Sequence, residues 1–265
     1  MPDIWRGLIE KIPLPRVVTL IGAGGKTTLM YYLVDCLLAA GISAVATATT
    51  KLSNQPPPHG RLLRVQSLEE ALAKEIDWTA PQETTTVVLG EDAKHPEKLI
   101  GLPPDWIDKL TIVSPDTVWI VEGDGAAGRS LKGHQAYEPV IPATSLLVIT
   151  VIGIDSIRQP LDSSYVHRPK RVAELIDVEP TSIITEELIA QLFFHPKGYL
   201  QHCPPDSLIV PFINKVESQM AEACAQRLTK LILAERRPNL PGVMLGSLHE
   251  ERFWFIPQTP SQSGG

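Results

Sequence analysis

The chain has 265 residues, 43% of them hydrophobic, which is enough apolar material for a sizeable core in one large domain or a domain with a subdomain. Lys and Arg total 24 against 30 Asp and Glu, and a formal charge of −6 lacks the cationic field that duplex nucleic acid demands. The composition also argues against a membrane or disulfide class: the longest nearly apolar run, Leu146 to Ile154, is about half a membrane span, and the three cysteines (Cys36, Cys203, Cys224) lie far apart.

Met1 to Lys11 carries Asp3, Arg6 and Glu10 and no signal-peptide core, so a cytoplasmic protein with reduced thiols is expected. Val17 to Ile21 is a β-branched apolar run ending at Gly22, the pattern of a strand buried on both faces. Lys26 to Ala40 has apolar residues at helical spacing and closes on Gly41. Ser43 to Thr47 is a second strand, Leu68 to Ile76 a helix, and Thr84 to Leu89 and Thr117 to Val121 are further strands. The long interval from Leu52 to Ser114 has room for a peripheral hairpin. Leu146 to Val151 and Leu208 to Ile213 complete the apolar strands, and Gly242 to Leu245 and Arg252 to Ile256 are short final ones. Between them, Arg168 to Cys203 carries two helical patterns, a helical insertion or a small lid over the sheet edge. Glu217 to Glu235 is a long amphipathic helix with Met220, Cys224, Leu228 and Leu231 on one stripe.

Proline totals 24 and clusters at residues 55–58, at Pro103-Pro104, at Pro204-Pro205 and from Pro238 to Pro241, marking loops between the periodic segments. There is no internal repeat. Strands alternating with helices predict an α/β fold of three layers, P-loop NTPase-like, with a mostly parallel sheet covered on both faces. One domain over residues 1–256 is expected, followed by a flexible tail from Pro257 to Gly265.

Between the first strand and first helix stands Gly22-Ala23-Gly24-Gly25-Lys26-Thr27-Thr28. A polyphosphate cradle needs glycines that allow positive φ, amides exposed at a helix start, a lysine for the β and γ phosphates and a hydroxyl for magnesium. Lys26 is the predicted phosphate lysine, Thr27 the magnesium ligand and Thr28 a further phosphate contact. The common loop would put its first glycine at Leu20, so this loop is shortened. It is similar in length to the loop of Mur-type ligases, with Ala23 where they have threonine.

Ligands of an open parallel sheet sit beyond the carboxyl ends of its strands, and other candidates fall there. Thr47-Ala48-Thr49-Thr50-Lys51 offers hydroxyls to metal-bound water and an ammonium to phosphate, or is a polar strand end. Glu122 and Asp124 end another strand, where a carboxylate can hold a hydrated magnesium ion or polarise a nucleophile. Gly123 and Gly125 let the chain bend close to a ligand there. The loop that follows carries Arg129 and Lys132, which either close on an anion or are solvated. His167 and Arg168 join an imidazole able to exchange a proton near neutrality to an oxyanion clamp. Asn214-Lys215-Val216-Glu217 resembles the base-reading Asn-Lys-x-Asp of many GTPases, with Glu217 in place of aspartate; its alternative is a plain helix start.

Taken in order, Leu20 to Thr28, Thr47 to Lys51, Val121 to Ala126, Glu138 to Pro142, Val166 to Pro169 and Phe212 to Glu217 resemble the YqeC-type family, accessory proteins of selenium-dependent molybdenum hydroxylases. Departures from the family pattern are Gly123, where alanine is expected, and Ser163-Ser164, where acidic or histidine residues are usual. The resemblance implies nucleotide use, strengthens the roles of His167 and Arg168, and adds a molybdenum hydroxylase as partner. The expected function is therefore binding and hydrolysis of a nucleoside triphosphate, ATP or GTP, with Mg2+. An anionic second substrate, such as a molybdenum-cofactor precursor, would meet Arg129, Lys132, His167 and Arg168. The alternatives are a nucleotide-gated binding module, a ligase-like transferase acting through an acyl phosphate, and a nucleotide-binding relic without hydrolysis. Neither nucleic acid nor membrane is an expected partner.

Overall fold

The computed structural model describes residues 14–54, 60–73 and 83–259. The amino-terminal segment, the proline cluster at 55–58, the end of the helix expected over Leu68 to Ile76, and residues 260–265 of the tail lie outside the described residues. In chain order the first half runs β1 (Val17–Gly22), α1 (Lys26–Ala39), β2 (Ala44–Ala48), β3 (Lys51–Ser53), β4 (Gly60–Arg64), α2 (Leu68–Ala71), β5 (Thr84–Val88), β6 (Gly90–Asp92), β7 (His95–Ile100) and α3 (Pro104–Val113). The second half runs β8 (Val118–Glu122), β9 (Leu131–Lys132), β10 (Leu147–Gly153), β11 (Val166–His167), α4 (Pro169–Ile176), α5 (Glu186–Phe194), β12 (Leu208–Asn214), α6 (Gln219–Ala234), β13 (Gly242–Ser247) and β14 (Arg252–Pro257).

Nine strands form the central sheet in the order β14-β13-β12-β10-β1-β8-β2-β5-β4. Every pairing is parallel except β13 with β14, which closes one edge as a hairpin. The strand runs are continuously apolar because both faces are covered. Along β1, Val18 and Leu20 turn to the face packed by α1, through Leu29, Met30, Leu33, Val34 and Leu37. Val17 points the other way, into a cluster with Val45, Trp119 and Val121 that α2 and α3 cover. On that same side, α4, α5 and α6 pack over Ile152, Ile209, Ile213, Val243 and Leu245. The result is the expected three-layer, P-loop-like α/β architecture.

The two helices between Arg168 and Cys203 are part of this covering layer, since α5 lies against α6 and buries Leu188, Ile189, Leu192 and Phe193 in the shared core. They are therefore not a lid over the sheet edge. The buried stripe of α6 is Cys224, Ala225, Leu228, Thr229 and Ile232, rotated from the predicted one, and Met220 is 53% exposed. The peripheral hairpin is β6 with β7, extended by β3 into a small antiparallel sheet.

Register sets the working edge. Leu20 lies opposite Glu122, Gly22 opposite Val151, and Gly153 opposite Asn214. The carboxyl ends of β1, β8, β10 and β12 thus meet at the start of α1.

Candidate functional site

Three glycines shape the turn from β1 into α1, with φ of 92° at Gly22, 105° at Gly24 and 118° at Gly25. All three also have no room for a side chain, and a Cβ at Gly24 would lie 2.4 Å from Gly153 N. A Cβ at Gly22 would lie 2.6 Å from the ring of Tyr199, and one at Gly25 2.7 Å from Asn214 Nδ2. Gly25 caps α1 in the left-handed conformation without a side-chain acceptor, and the first turn holds no acidic residue. The leading amides of α1 therefore lack intrahelical acceptors and lie at the positive end of the helix dipole, an arrangement suited to an anion. The Gly22 N–H is directed instead to Asp124, at 3.2 and 3.1 Å, and the Ala23 N–H to Val151 O at 2.9 Å. Thr28 is exposed at the second position of the expected Thr-Thr pair.

Lys26 is 4% exposed. Its Nζ donates to Gly22 O at 2.6 Å and lies 3.2 Å from Asp124 and 3.9 Å from Glu122. The Thr27 hydroxyl donates to Glu122 at 2.7 Å. Burial pushes the Glu122 carboxyl above the usual carboxylate range, with Lys26 and Thr27 opposing. A hydroxyl and a carboxylate side by side are hard oxygen donors of the type that hold a largely hydrated magnesium ion. Among the described residues, no group of three or more His, Cys, Asp or Glu side chains is placed to hold a metal ion.

Asp124 is fully buried and surrounded by donors: the Gly22 amide, Lys26, Lys132 Nζ at 3.1 Å and His134 Nε2 at 2.6 Å. Burial alone would raise its pKa, but Lys26, His134 and Lys132 outweigh that and hold the carboxyl well below the usual range. Both oxygens accept hydrogen bonds from within the fold, and Asp124 is the charge partner of Lys26 and Lys132. Lys132 is likewise 0% exposed, with its ammonium on Gly125 O, Asp124 and Glu138. It does not reach an external anion, because two carboxylates hold it inside the fold. Burial pulls its pKa down against the attraction of those carboxylates. Glu138 in turn receives Arg168 through Nη1 at 2.5 Å and Nη2 at 3.3 Å.

The other sequence candidates separate. His167 pairs with Lys132 between β11 and β9, and burial, Arg168 and Lys132 together bring its pKa down to about 4. It is neutral near pH 7, which corrects the expected proton exchange there. Arg129 is half-buried in the turn after Gly128, its amide bonded to Ala126 O. Thr47 and Thr49 donate to Val87 O and Val140 O, and Lys51 pairs with Asp92 of the peripheral sheet. These groups brace the chain, and the Thr49 amide donates to Glu122 O at 3.0 Å. Asn214 braces the loop itself, donating to Gly24 O at 2.7 Å and accepting from Leu248 N at 3.1 Å. Lys215 is held by Ser130 and Asp155, each at 2.8 Å, and Glu217 accepts from Ser247 at 2.8 Å. Asn214 therefore buttresses the loop through both ends of its carboxamide.

His134, Glu138, Tyr199 and Gln201 were not singled out as site residues by sequence. Gln201 ties the carbonyls of Gln135 and Glu138, and the ring of Tyr199 meets His134 edge-on at 5.2 Å. They sit in irregular segments with no periodicity to mark them, and only Glu138 fell within a stretch of the family resemblance.

The model of the family described as "YqeC: YqeC protein" matches residues 18–170. A protein of Escherichia coli (strain K12) described as "Uncharacterized protein YqeC" is 28% identical over 236 residues, 89% of each chain. The matched family span runs from β1 to the start of α4 and so contains the glycine-rich loop, Glu122, and the ion pairs from Lys26 to Arg168; the chain belongs to the YqeC family.

Proposed function

We propose that this chain is a cytoplasmic, magnesium-dependent nucleoside triphosphatase whose glycine-rich loop holds the polyphosphate of ATP or GTP. The observation that carries the reading is the uncapped start of α1, where left-handed glycines, the buried Lys26 ammonium and the Thr27–Glu122 pair converge. The amides of Gly24 to Thr27 donate to the phosphate oxygens, and Lys26 exchanges part of its contact with Asp124 for the β and γ phosphates. Thr27 and Glu122 are the residues that fit magnesium, which would neutralise developing charge on the phosphates. Phosphoryl transfer asks little covalent chemistry of a protein, so positioning and charge stabilisation by these groups suffice.

Base selection is not assigned to Asn214, whose carboxamide is engaged with the loop. The resemblance to YqeC-type accessory proteins supports a role beside a selenium-dependent molybdenum hydroxylase. The nucleotide-gated reading draws support from the burial of Lys26 in an ionic series that reaches the surface at Arg168. Titration calorimetry with MgATP and MgGTP, paired with a phosphate-release assay, tests the proposal. Saturable binding and phosphate release are expected, slow and accelerated by the hydroxylase if the chain is a switch. Absence of binding by both nucleotides would overturn it.

A further inference from the structure

From Lys26 a series of alternating charges runs outward, each step a direct contact. Lys26 meets Asp124 at 3.2 Å, Asp124 meets Lys132 at 3.1 Å, Lys132 meets Glu138 at 3.2 Å, and Glu138 meets Arg168 at 2.5 Å. The inner four groups are buried, whereas the Arg168 side chain is 26% exposed and lines a surface cleft of about 620 Å³. That volume lies within the roughly 300–1,000 Å³ of small-molecule sites. Leu161, Pro169 and Pro180 give the cleft apolar walls; Lys170 and Arg171 add cations beside Arg168, against the carboxylates of Asp162 and of Glu174, which lies 3.4 Å from Arg171.

We propose that this cleft is a second anion-binding site, for a small molecule with an apolar body and a phosphate monoester or carboxylate head, and that it competes with the glycine-rich loop through the buried series. The competition rests on the reading of that loop as a phosphate site. Three cations in the series alternate with Asp124 and Glu138, and Glu122 stands 3.9 Å from Lys26 at the inner end. An anion at Arg168 draws the guanidinium from Glu138, and Glu138 then leans on Lys132. Lys132 in turn neutralises Asp124 less, and Asp124 holds Lys26 more firmly away from an incoming phosphate. Each transfer occurs where solvent screens little, so the effect persists along the series. The coupling is reciprocal, and bound nucleotide weakens the cleft ligand by the same factor.

The test uses the full chain and two probes, phenyl phosphate for the phosphate arm and benzoate for the carboxylate arm. At least one probe is expected to bind with an affinity that Lys170→Ala lowers, while MgATP affinity stays within about twofold. Saturating that probe should weaken MgATP binding by about fivefold or more, the low end of typical coupling. Glu138→Gln should tighten probe binding, because Arg168 is freed, yet reduce the antagonism towards twofold. Glu138→Asp, which keeps the charge but shortens the reach, is the second variant should the first not fold, and should also reduce the antagonism. Probe binding insensitive to Lys170→Ala, MgATP affinity indifferent to the probe, or undiminished antagonism in the Glu138 variants would each overturn the proposal. If the wild-type chain binds no MgATP, the loop reading and the competition both fall, and the Lys170 arm still reports on the cleft alone.

Discussion

Lys26 shares Asp124 with Lys132, His134 and the Gly22 amide, so its loss does not strand a buried carboxylate. Lys26→Ala should therefore melt within a few degrees of the wild type while its ATP affinity, read by calorimetry, falls about a hundredfold through loss of a charge-assisted contact. Thr27→Ala removes only the hydroxyl beside Glu122. Its affinity for ATP should drop about tenfold with magnesium present and change little without it, and Thr27→Ser should restore the difference. His167 gives a pH signature. Its imidazole titrates at about 4 in the fold and near its ordinary 6.5 when unfolded, so the unfolded chain takes up the proton first as pH falls. Its contribution to stability is complete above pH 6.5 and declines from there towards 4. Denaturation midpoints across that window should fall, and His167→Gln should flatten the decline.

Elements were legible where both faces are buried. The runs of β1, β8, β10 and β12 are buried almost throughout and mainly apolar because helices cover the sheet on each side, and their sequences show it directly. The strands β4 and β7 have mostly exposed or half-exposed positions, with Arg61 and Arg64 in one and Pro96 to Lys98 in the other, so no hydrophobic period marks them. β9 and β11 are two residues each, too short for any pattern, yet they position Lys132 and His167. The α6 stripe was read with a shifted phase because Met220 is apolar and solvent-facing, whereas Thr229 is polar and buried with its hydroxyl donated to Ala225 O. Leu228 lies at the centre of the true stripe and is 0% exposed. Leu228→Ala should cost about 2–5 kcal/mol in chemical denaturation, the range for a buried leucine whose cavity closes only in part.

At the scale of the molecule, the loop, Glu122 and Asp124 were legible because glycine spacing and strand ends announce them. The rest of the ionic series was not, because its logic is mutual. A sequence shows Lys132 as a loop cation, and only the fold reveals the two carboxylates that draw it inside. The same dependence governs formation of the site. Gly22 takes its partner from Asp124, and Gly24 is buttressed by Asn214, 190 residues further along the chain. Pairings of such separation are slow to form. On refolding from denaturant, far-UV circular dichroism should therefore recover before ATP-binding competence, which should return only with the slowest phase. A translating ribosome accordingly releases the glycine-rich loop early and its last buttress late. A message cut short before the Asn214 codon yields a polypeptide that carries the glycine-rich loop without the carboxamide that braces it.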